Sequence, residues 1–289
     1  MIKFIASGLY TSLQDLGRFG YRDLGVPVSG AMDLQAATNA NLLLGNEPQL
    51  AVIEFTATGP VLEFEAPATI AICGASFTPK LNGVSIAMNE PVEIPSGGIL
   101  SFDRPSKGLR AYLAIQGGFI SEKILGSNSF YSGVTNQSQL GKGDVIEFNS
   151  NTERLLPSLS SELEDVMRFD TTEIKVMKGP EFNLLPHTIQ SFLSNGSFTV
   201  APNSSRMAYF LNYSKTISAE EIITAPVQPG TVQLTPSGKI IVLMRDAQTT
   251  GGYARILQLT ESAINILAQK RAGMPIYFKI IDLPSDTLA

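Results

Sequence analysis

The chain has 289 residues, 44% of them apolar, and a formal net charge of −5. That length suits two domains of ordinary size. The acidic balance, with no long basic run, excludes the electrostatic footprint of a nucleic-acid or anionic-membrane binder, although a few converging arginines still suit a small anionic substrate. One cysteine, Cys73, leaves no intrachain disulfide, and one histidine, His187, leaves no zinc spacing. The N-terminal stretch MIKFIASGLYTSLQDLGR lacks the apolar core of a signal peptide, and no run of about 18 apolar residues occurs. The expectation is a cytoplasmic protein without a transmembrane helix.

In chain order, the first feature is a polar, glycine-rich stretch at Gln14–Arg22. Residues 31–44 then predict a helix. Ser29 is placed as a cap, Met32, Ala36, Ala40 and Leu43 lie on one face, and Gly45-Asn46 is the stop. Short apolar runs follow at Ala51–Phe55, Val61–Glu65, Thr69–Cys73, Gly98–Phe102, Ala111–Gln116 and Val145–Phe148. Asn82-Gly83 and Gly141-Lys142-Gly143-Asp144 mark turns between them. The polar, serine-rich and acidic stretch Asn149–Thr172 reads as a linker with a short helix at Glu162–Arg168. Beyond it come strand runs at Glu173–Met177, Lys239–Met244 and Pro275–Ile281, with a turn at Ser237-Gly238. Helices are predicted from Pro186 to Asn195-Gly196 and over Glu261–Arg271, the latter capped by Thr260 and ended by Gly273. Strand runs of this spacing define a mainly β chain of barrels or sandwiches. The domains are placed at residues 1–165 and 170–289.

Few side chains offer chemistry outside the loops. His187 at a helix start reads as a surface or capping histidine, and Cys73, within TIAIC, as a small buried hydrophobe. No Gly-x4-Gly-Lys-Ser/Thr loop and no Gly-x-Gly-x-x-Gly loop is present. Val176-Met177-Lys178-Gly179 lacks the second methionine of a biotin-carrying Met-Lys-Met turn, so Lys178 reads as a solvated strand-end lysine.

What remains is a set of arginine-bearing loops. Gln14-Asp15-Leu16-Gly17-Arg18-Phe19-Gly20-Tyr21-Arg22 is echoed by Gln248-Thr249-Thr250-Gly251-Gly252-Tyr253-Ala254-Arg255; each is Gln, glycine, Gly-Tyr, then Arg. Thr58-Gly59-Pro60 and Lys178-Gly179-Pro180 form a second echo, each after a strand. Arg206 stands at a further strand start, and Ser29 to Asp33 lead into the first helix. Glycine lets backbone N–H groups approach a ligand, and guanidinium forks suit carboxylates and phosphates. Asp33 in the first helical turn either complements the helix dipole or serves a ligand.

The segments TSLQDLGRFGYRDLGVPVSGAMD, AYLAIQGGF, ILGSNS, APNSSRMAY and QTTGGYARI carry a resemblance across essentially the whole chain. The chain resembles the family containing the C subunit of bacterial 5-oxoprolinase, the Kip-type antagonist of a sporulation kinase inhibitor, and half of the carboxyltransferase region of urea carboxylase. The resemblance implies two cyclophilin-like β-barrel domains, a B-type subunit sharing a cleft with this chain, and, for 5-oxoprolinase, an A-type subunit. It implies ATP as co-substrate, held by this chain or by its partner, and no biotin attached to this chain. A small-molecule substrate is implied, 5-oxoproline or a urea-type amide, with no nucleic acid or membrane as partner. The alternatives are a carboxyltransferase subunit for urea or an amide and a regulatory antagonist.

On the 5-oxoprolinase reading, Arg18 or Arg255 clamps a carboxylate or phosphate, and Asp33 orients a water or an arginine. The substrate-contacting candidates are Gln14, Asp15, Tyr21, Ser29, Arg206, Gln248, Thr249, Gly251, Gly252 and Tyr253, with no metal ligand among them. Three departures from the family pattern stand out: Arg206-Met207-Ala208 for Arg-Met-Gly, Gly252-Tyr253-Ala254-Arg255 for Gly-Tyr-Pro-Arg, and a glycine-poor Tyr131–Gln137 loop.

Overall fold

The structure is a computed structural model that describes residues 1–149 and 169–282. The short helix expected at 162–168 and most of the expected linker lie outside the described residues. The chain divides into two compact units, one of Met1–Phe19 with Ser29–Phe169 and the other of Gly20–Val28 with Asp170–Ala289. The nine-residue segment Gly20–Val28 therefore belongs to the second unit although it lies early in the sequence.

The first unit is two sheets around one core. In spatial order the larger sheet runs Phe119–Ile120, Val145–Phe148, Ile2–Ala6, Val61–Phe64, Gly98–Phe102, Pro79–Leu81, Val84–Ser85. The smaller runs Tyr10–Gln14, Val52–Thr56, Arg110–Ile115, Ala68–Gly74, Val92–Ile94. Alternation builds the core: Ile2 and Phe4 point inward with Leu62 and Phe64 from one sheet, and Ile53, Phe55, Leu113 and Ile72 from the other. The Asn82-Gly83 turn has φ of 50° and 84°, left-handed values that Asn and Gly tolerate, and it joins the short strands Pro79–Leu81 and Val84–Ser85 at one edge of the larger sheet.

The outer face of the smaller sheet carries helix α1, Leu34–Leu43. Its small residues Ala36, Ala37 and Ala40 pack on Val52, Ala71, Cys73, Tyr112 and Ala114, which lets helix and sheet approach closely. The helix starts three residues later than the pattern predicts. Ser29 has φ 56° and Gly30 φ 88°, so neither joins a right-handed helix. Asp33, not Ser29, is the cap, and its side chain accepts the Ala36 N–H at 3.1 Å.

The second unit is a closed seven-stranded barrel: Glu173–Lys178, Ala254–Leu259, Thr231–Leu234, Ile240–Leu243, Ala208–Asn212, Phe198–Val200, Pro275–Ile280. Parallel pairing of Glu173–Lys178 with Pro275–Ile280 closes the ring and removes its edges. Ile174, Val176, Val232, Val242, Ile256 and Ile276 are all fully buried. Helix α2, His187–Asn195, follows Pro186, and α3, Glu261–Ala268, is capped by Thr260, whose hydroxyl accepts the Ala263 N–H at 3.2 Å. A two-stranded ribbon, Ala225–Pro226 with Thr250–Gly251, stands outside the barrel ladder. The architecture is mainly β, and among the described residues no helix is long and apolar enough to cross a membrane.

Candidate functional site

In the first unit the loop residues meet around Asp15. Its Oδ1 accepts the Gly17 N–H (2.8 Å) and the hydroxyls of Ser127 (2.7 Å) and Ser129 (2.6 Å), and its Oδ2 accepts the Asn128 N–H (2.7 Å). The Asp15 carbonyl accepts the Ala31 N–H at 2.8 Å. One residue thus ties three chain segments together. Arg18 completes the brace. It is fully buried, with Nε donating to the Ile124 carbonyl and Nη2 to the Ser129 carbonyl, both at 2.9 Å. The structure places Arg18 as a loop brace and not as a solvent-facing clamp. Gln14, also fully buried, donates from Nε2 to Ser12 Oγ (2.9 Å) and the Phe130 carbonyl (3.3 Å).

The segment from Ser29 to Asp33 is fixed as tightly. A methyl group on Gly30 would meet the Gly17 nitrogen at 2.9 Å, so only glycine lets the two loops touch there. The Met32 N–H donates to Glu54 Oε2 (2.7 Å) and the Asp33 N–H to the Tyr112 hydroxyl (2.8 Å). Glu54, Tyr112 and Cys73 are successive cross-strand partners, forming a polar row beneath the start of α1. Ser29 Oγ is buried without a hydrogen-bond partner among the described residues.

Burial, with Asp33 adding a repulsive charge, pushes the Cys73 thiol up to about 12. At pH ~8 its thiolate fraction is then of order 10⁻⁴, against roughly a quarter for an ordinary thiol. An aromatic disulfide reagent is therefore expected to label Cys73 at least ~100-fold more slowly in the native chain than in denaturant. Comparable rates would show that the strand is open.

The second unit brings together the remaining candidates. Arg255 lies on the barrel strand Ala254–Leu259 and is gripped from the side by Glu181: Nε to Oε2 at 3.0 Å, Nη2 to Oε1 at 2.7 Å, with the Arg255 backbone N–H on the same Oε2 at 2.8 Å. Its Nη1 donates to the Pro226 carbonyl at 3.2 Å. Gly179 makes this contact reachable, since a methyl group there would lie 2.2 Å from the Arg255 carbonyl. Arg22 donates from Nη2 to the neighbouring Val227 carbonyl. Tyr21, half-buried just before it, accepts the Leu24 and Val26 N–H groups on its carbonyl.

Arg206 makes a second two-point pair, with Asp246 at 2.8 and 3.0 Å. The 248–253 loop runs between these pairs in sequence. The Thr249 carbonyl accepts the Val227 N–H (3.0 Å), and the Gly252 carbonyl accepts the Ile222 N–H (2.9 Å). A methyl group on Gly251 would meet Gln233 Nε2 at 2.8 Å and Gln248 Nε2 at 3.6 Å, so two side-chain amides flank this glycine. Gln248 Oε1 has no partner among the described residues, and Tyr253 is exposed.

The Arg255 hydrogen bonds hold the Glu181 carboxyl below the usual carboxylate range, against the opposing push of burial, and the pair raises Arg255 in turn. A depressed carboxylate stabilises the fold above its unfolded value of about 4.3, and that contribution is lost as pH falls through the lower folded value. The melting-temperature gap between the native chain and Glu181→Gln is accordingly expected to be constant from neutral pH to about pH 5 and to shrink in stronger acid. A gap that widens in acid would contradict the pairing.

Among the described residues no group of three or more His, Cys, Asp or Glu side chains could hold a metal ion. Lys178 is exposed and sits over the Phe182 ring, 5.4 Å from its centroid.

The family described as carboxyltransferase domain, subdomain A and B, matches residues 24–280, and the chain belongs to it. It is 32% identical over 285 residues to the C subunit of 5-oxoprolinase from Escherichia coli, covering 96% of this chain and 90% of the relative. It is 40% identical over 157 residues to urea amidolyase of Saccharomyces cerevisiae, covering 53% of this chain and 9% of that protein. Among solved structures, the K. lactis urea amidolyase superposes with a TM-score of 0.87 at 28% identity, covering 96% of this chain and 18% of that much longer one.

Four residues escape the sequence pattern: Glu181, Asp246, Gln233 and Glu54. Only Glu181 carries a trace, because it follows the Gly179-Pro180 step that echoes Gly59-Pro60.

Proposed function

We propose that the chain is the C-type subunit of an ATP-dependent 5-oxoprolinase. With a B-type and an A-type subunit it converts 5-oxoproline, ATP and water to glutamate, ADP and phosphate. The observation that carries this is the near full-length match to the C subunit of 5-oxoprolinase, with nine-tenths of that relative covered. The urea amidolyase match covers half of this chain and a small part of that protein.

The site chemistry supports the reading. Opening a lactam puts negative charge on the carbonyl oxygen, and both substrates are anions. Arg255 supplies an oriented cation. On this reading Gln248 and the Gly251-Gly252 backbone hydrogen-bond the ring amide, with Thr249 and Tyr253 beside them, while the buried Gln233 supports the loop by donating to the Tyr253 carbonyl at 3.4 Å. Tyr21 and Arg206 frame the same unit. In the first unit, Asp15, Arg18, Gln14 and Ser29 hold the backbone that ends at Asp33. Asp33 is occupied as the α1 cap, so its role is to fix that backbone.

Co-expression with the A-type and B-type proteins, followed by assay of glutamate release from 5-oxoproline, tests the proposal. ATP-dependent release supports it. Carboxyl transfer to urea by an assembly with a biotin carrier, and no glutamate, would favour the carboxyltransferase reading, in which biotin arrives on another protein. Binding of the B-type protein without any turnover would favour a regulatory antagonist.

A further inference from the structure

We infer that residues 218–226 form a lid, shut in this structure over the backbone of Gly251 and Gly252 and latched by Arg255, and that it lifts to admit the substrate. This deepens the proposed function and rests on it for the role of the glycine pair. Occupancy of that backbone is the first observation. The Gly252 carbonyl accepts the Ile222 N–H at 2.9 Å. Gly251 is paired with Ala225 across the two-stranded ribbon. The Val227 N–H donates to the Thr249 carbonyl at 3.0 Å, so by the alternation of an antiparallel ladder Gly251 also turns its N–H and carbonyl toward the facing strand. A methyl group on Gly252 would meet the Ile222 carbonyl at 3.5 Å and the Thr224 hydroxyl at 4.0 Å, so the segment lies directly against this glycine. A ring amide that takes these hydrogen bonds has to displace the segment.

The segment is built to move. Ile217 and Val227 are buried at its two ends, and none of residues 218–226 is buried between them. Ile223 is 95% exposed, so its apolar side chain does not hold the segment down. The ladder is two residue pairs long, Ala225 with Gly251 and Pro226 with Thr250. Few buried contacts and a short exposed ladder place a segment at the low end of local stability.

Arg255 supplies the latch. Its Nη1 donates to the Pro226 carbonyl at 3.2 Å, whereas its Nε and Nη2 bonds to Glu181 are 3.0 and 2.7 Å. The bond to the segment is the longest of the three and the one whose acceptor is uncharged. An arriving carboxylate or phosphate therefore competes with Pro226 for this donor before it competes with Glu181. Anion arrival and lid release are coupled through one side chain.

Hydrogen exchange on the intact chain reads the opening without any ligand. The Ile222 amide is expected to exchange at least ~100-fold faster than the slowest amides of the barrel strand Ile240–Leu243. Arg255→Gln, which unlatches Pro226, should speed Ile222 several-fold further and leave that strand unchanged. An Ile222 amide as slow as the barrel would overturn the lid, and one unmoved by Arg255→Gln would overturn the latch. A reversible lock then tests the need to open. Pro226 and Thr250 face each other at the non-hydrogen-bonded position, where side chains come closest. With Pro226→Cys and Thr250→Cys introduced together, oxidation ties the segment down beside Gly251, and the buried Cys73 stays out of the reaction. Glutamate release by the assembled complex is expected to fall about tenfold or more on oxidation and to return with reductant. Full turnover with the disulfide formed, as read by mass, would overturn the lid. A complex that releases no glutamate even when reduced and with this chain unsubstituted removes the 5-oxoprolinase reading instead. The lid then stands or falls on the exchange rates, as it does if the cysteine pair fails to cross-link.

Discussion

Arg255→Ala is expected to abolish glutamate release by the assembled complex while leaving the barrel folded. The guanidinium is held at two points by Glu181 and at a third by Pro226. Truncating one member of a hydrogen-bonded charge pair at a binding surface costs about 2–5 kcal/mol, or roughly 30-fold to several thousand-fold in rate or affinity. Arg255→Lys should recover little, because an ammonium cannot serve Glu181 and a ligand from two edges at once. Stability should change far less than activity. The orphaned Glu181 side chain, only 13% exposed, lowers the melting temperature, but the barrel core that the substitution leaves untouched keeps the chain folded. Steady-state glutamate release and a thermal melt on the same preparation decide the matter. Wild-type turnover would remove Arg255 from the site, and a collapsed melt would make it a structural residue.

Asp15→Ala should produce the largest loss of stability. Its carboxylate accepts hydrogen bonds from Gly17, Ser127, Ser129 and Asn128, and it is 7% exposed. Removing it strands two backbone N–H groups and two hydroxyls. At about 1–3 kcal/mol for each unsatisfied buried donor, offset by partial relaxation, the expected loss is roughly 3–5 kcal/mol. For a domain of this size that lowers the melting temperature by roughly 6–20 °C. Asp15→Asn should lose nearly as much, because its amide nitrogen would face donors. Denaturant titration checks this, and a change below about 1 kcal/mol would show that the 127–129 loop is not held through Asp15.

The contrast between these two residues shows what the sequence can and cannot disclose. Both stand in arginine-and-glycine loops that look alike as strings, yet one loop is welded into a sheet and the other ends in an open fork. The echo between Gln14–Arg22 and Gln248–Arg255 conceals a division, because Gln14 and Arg18 belong to one unit and Tyr21 and Arg22 to the other. Local patterns transmit well. The strands Gly98–Phe102 and Val145–Phe148 have the bounds their apolar runs predict, and Thr260 caps α3 because a hydroxyl three residues before a free N–H needs no tertiary partner.

Long-range pairing does not transmit. Glu181 lies 74 residues from Arg255 and Asp246 lies 40 from Arg206, so no periodicity links them. The start of α1 departs from the pattern because Ser29 and Gly30 adopt left-handed backbone, and Gly30 packs on Gly17, a contact that only the tertiary fold reveals. In the first unit the strand spacing is legible, but its division into two hydrogen-bonded sheets is not, because the same alternation serves a barrel or a sandwich.

The proposal that this chain works within a 5-oxoprolinase is tested most directly by co-expressing it with B-type and A-type 5-oxoprolinase subunits and measuring glutamate from 5-oxoproline with and without ATP. Glutamate is expected to form in step with ATP consumed, to be lost when this chain is omitted and to be lost again with Arg255→Ala. A stable, complete assembly that forms no glutamate, or one that forms it equally well without this chain, would contradict it.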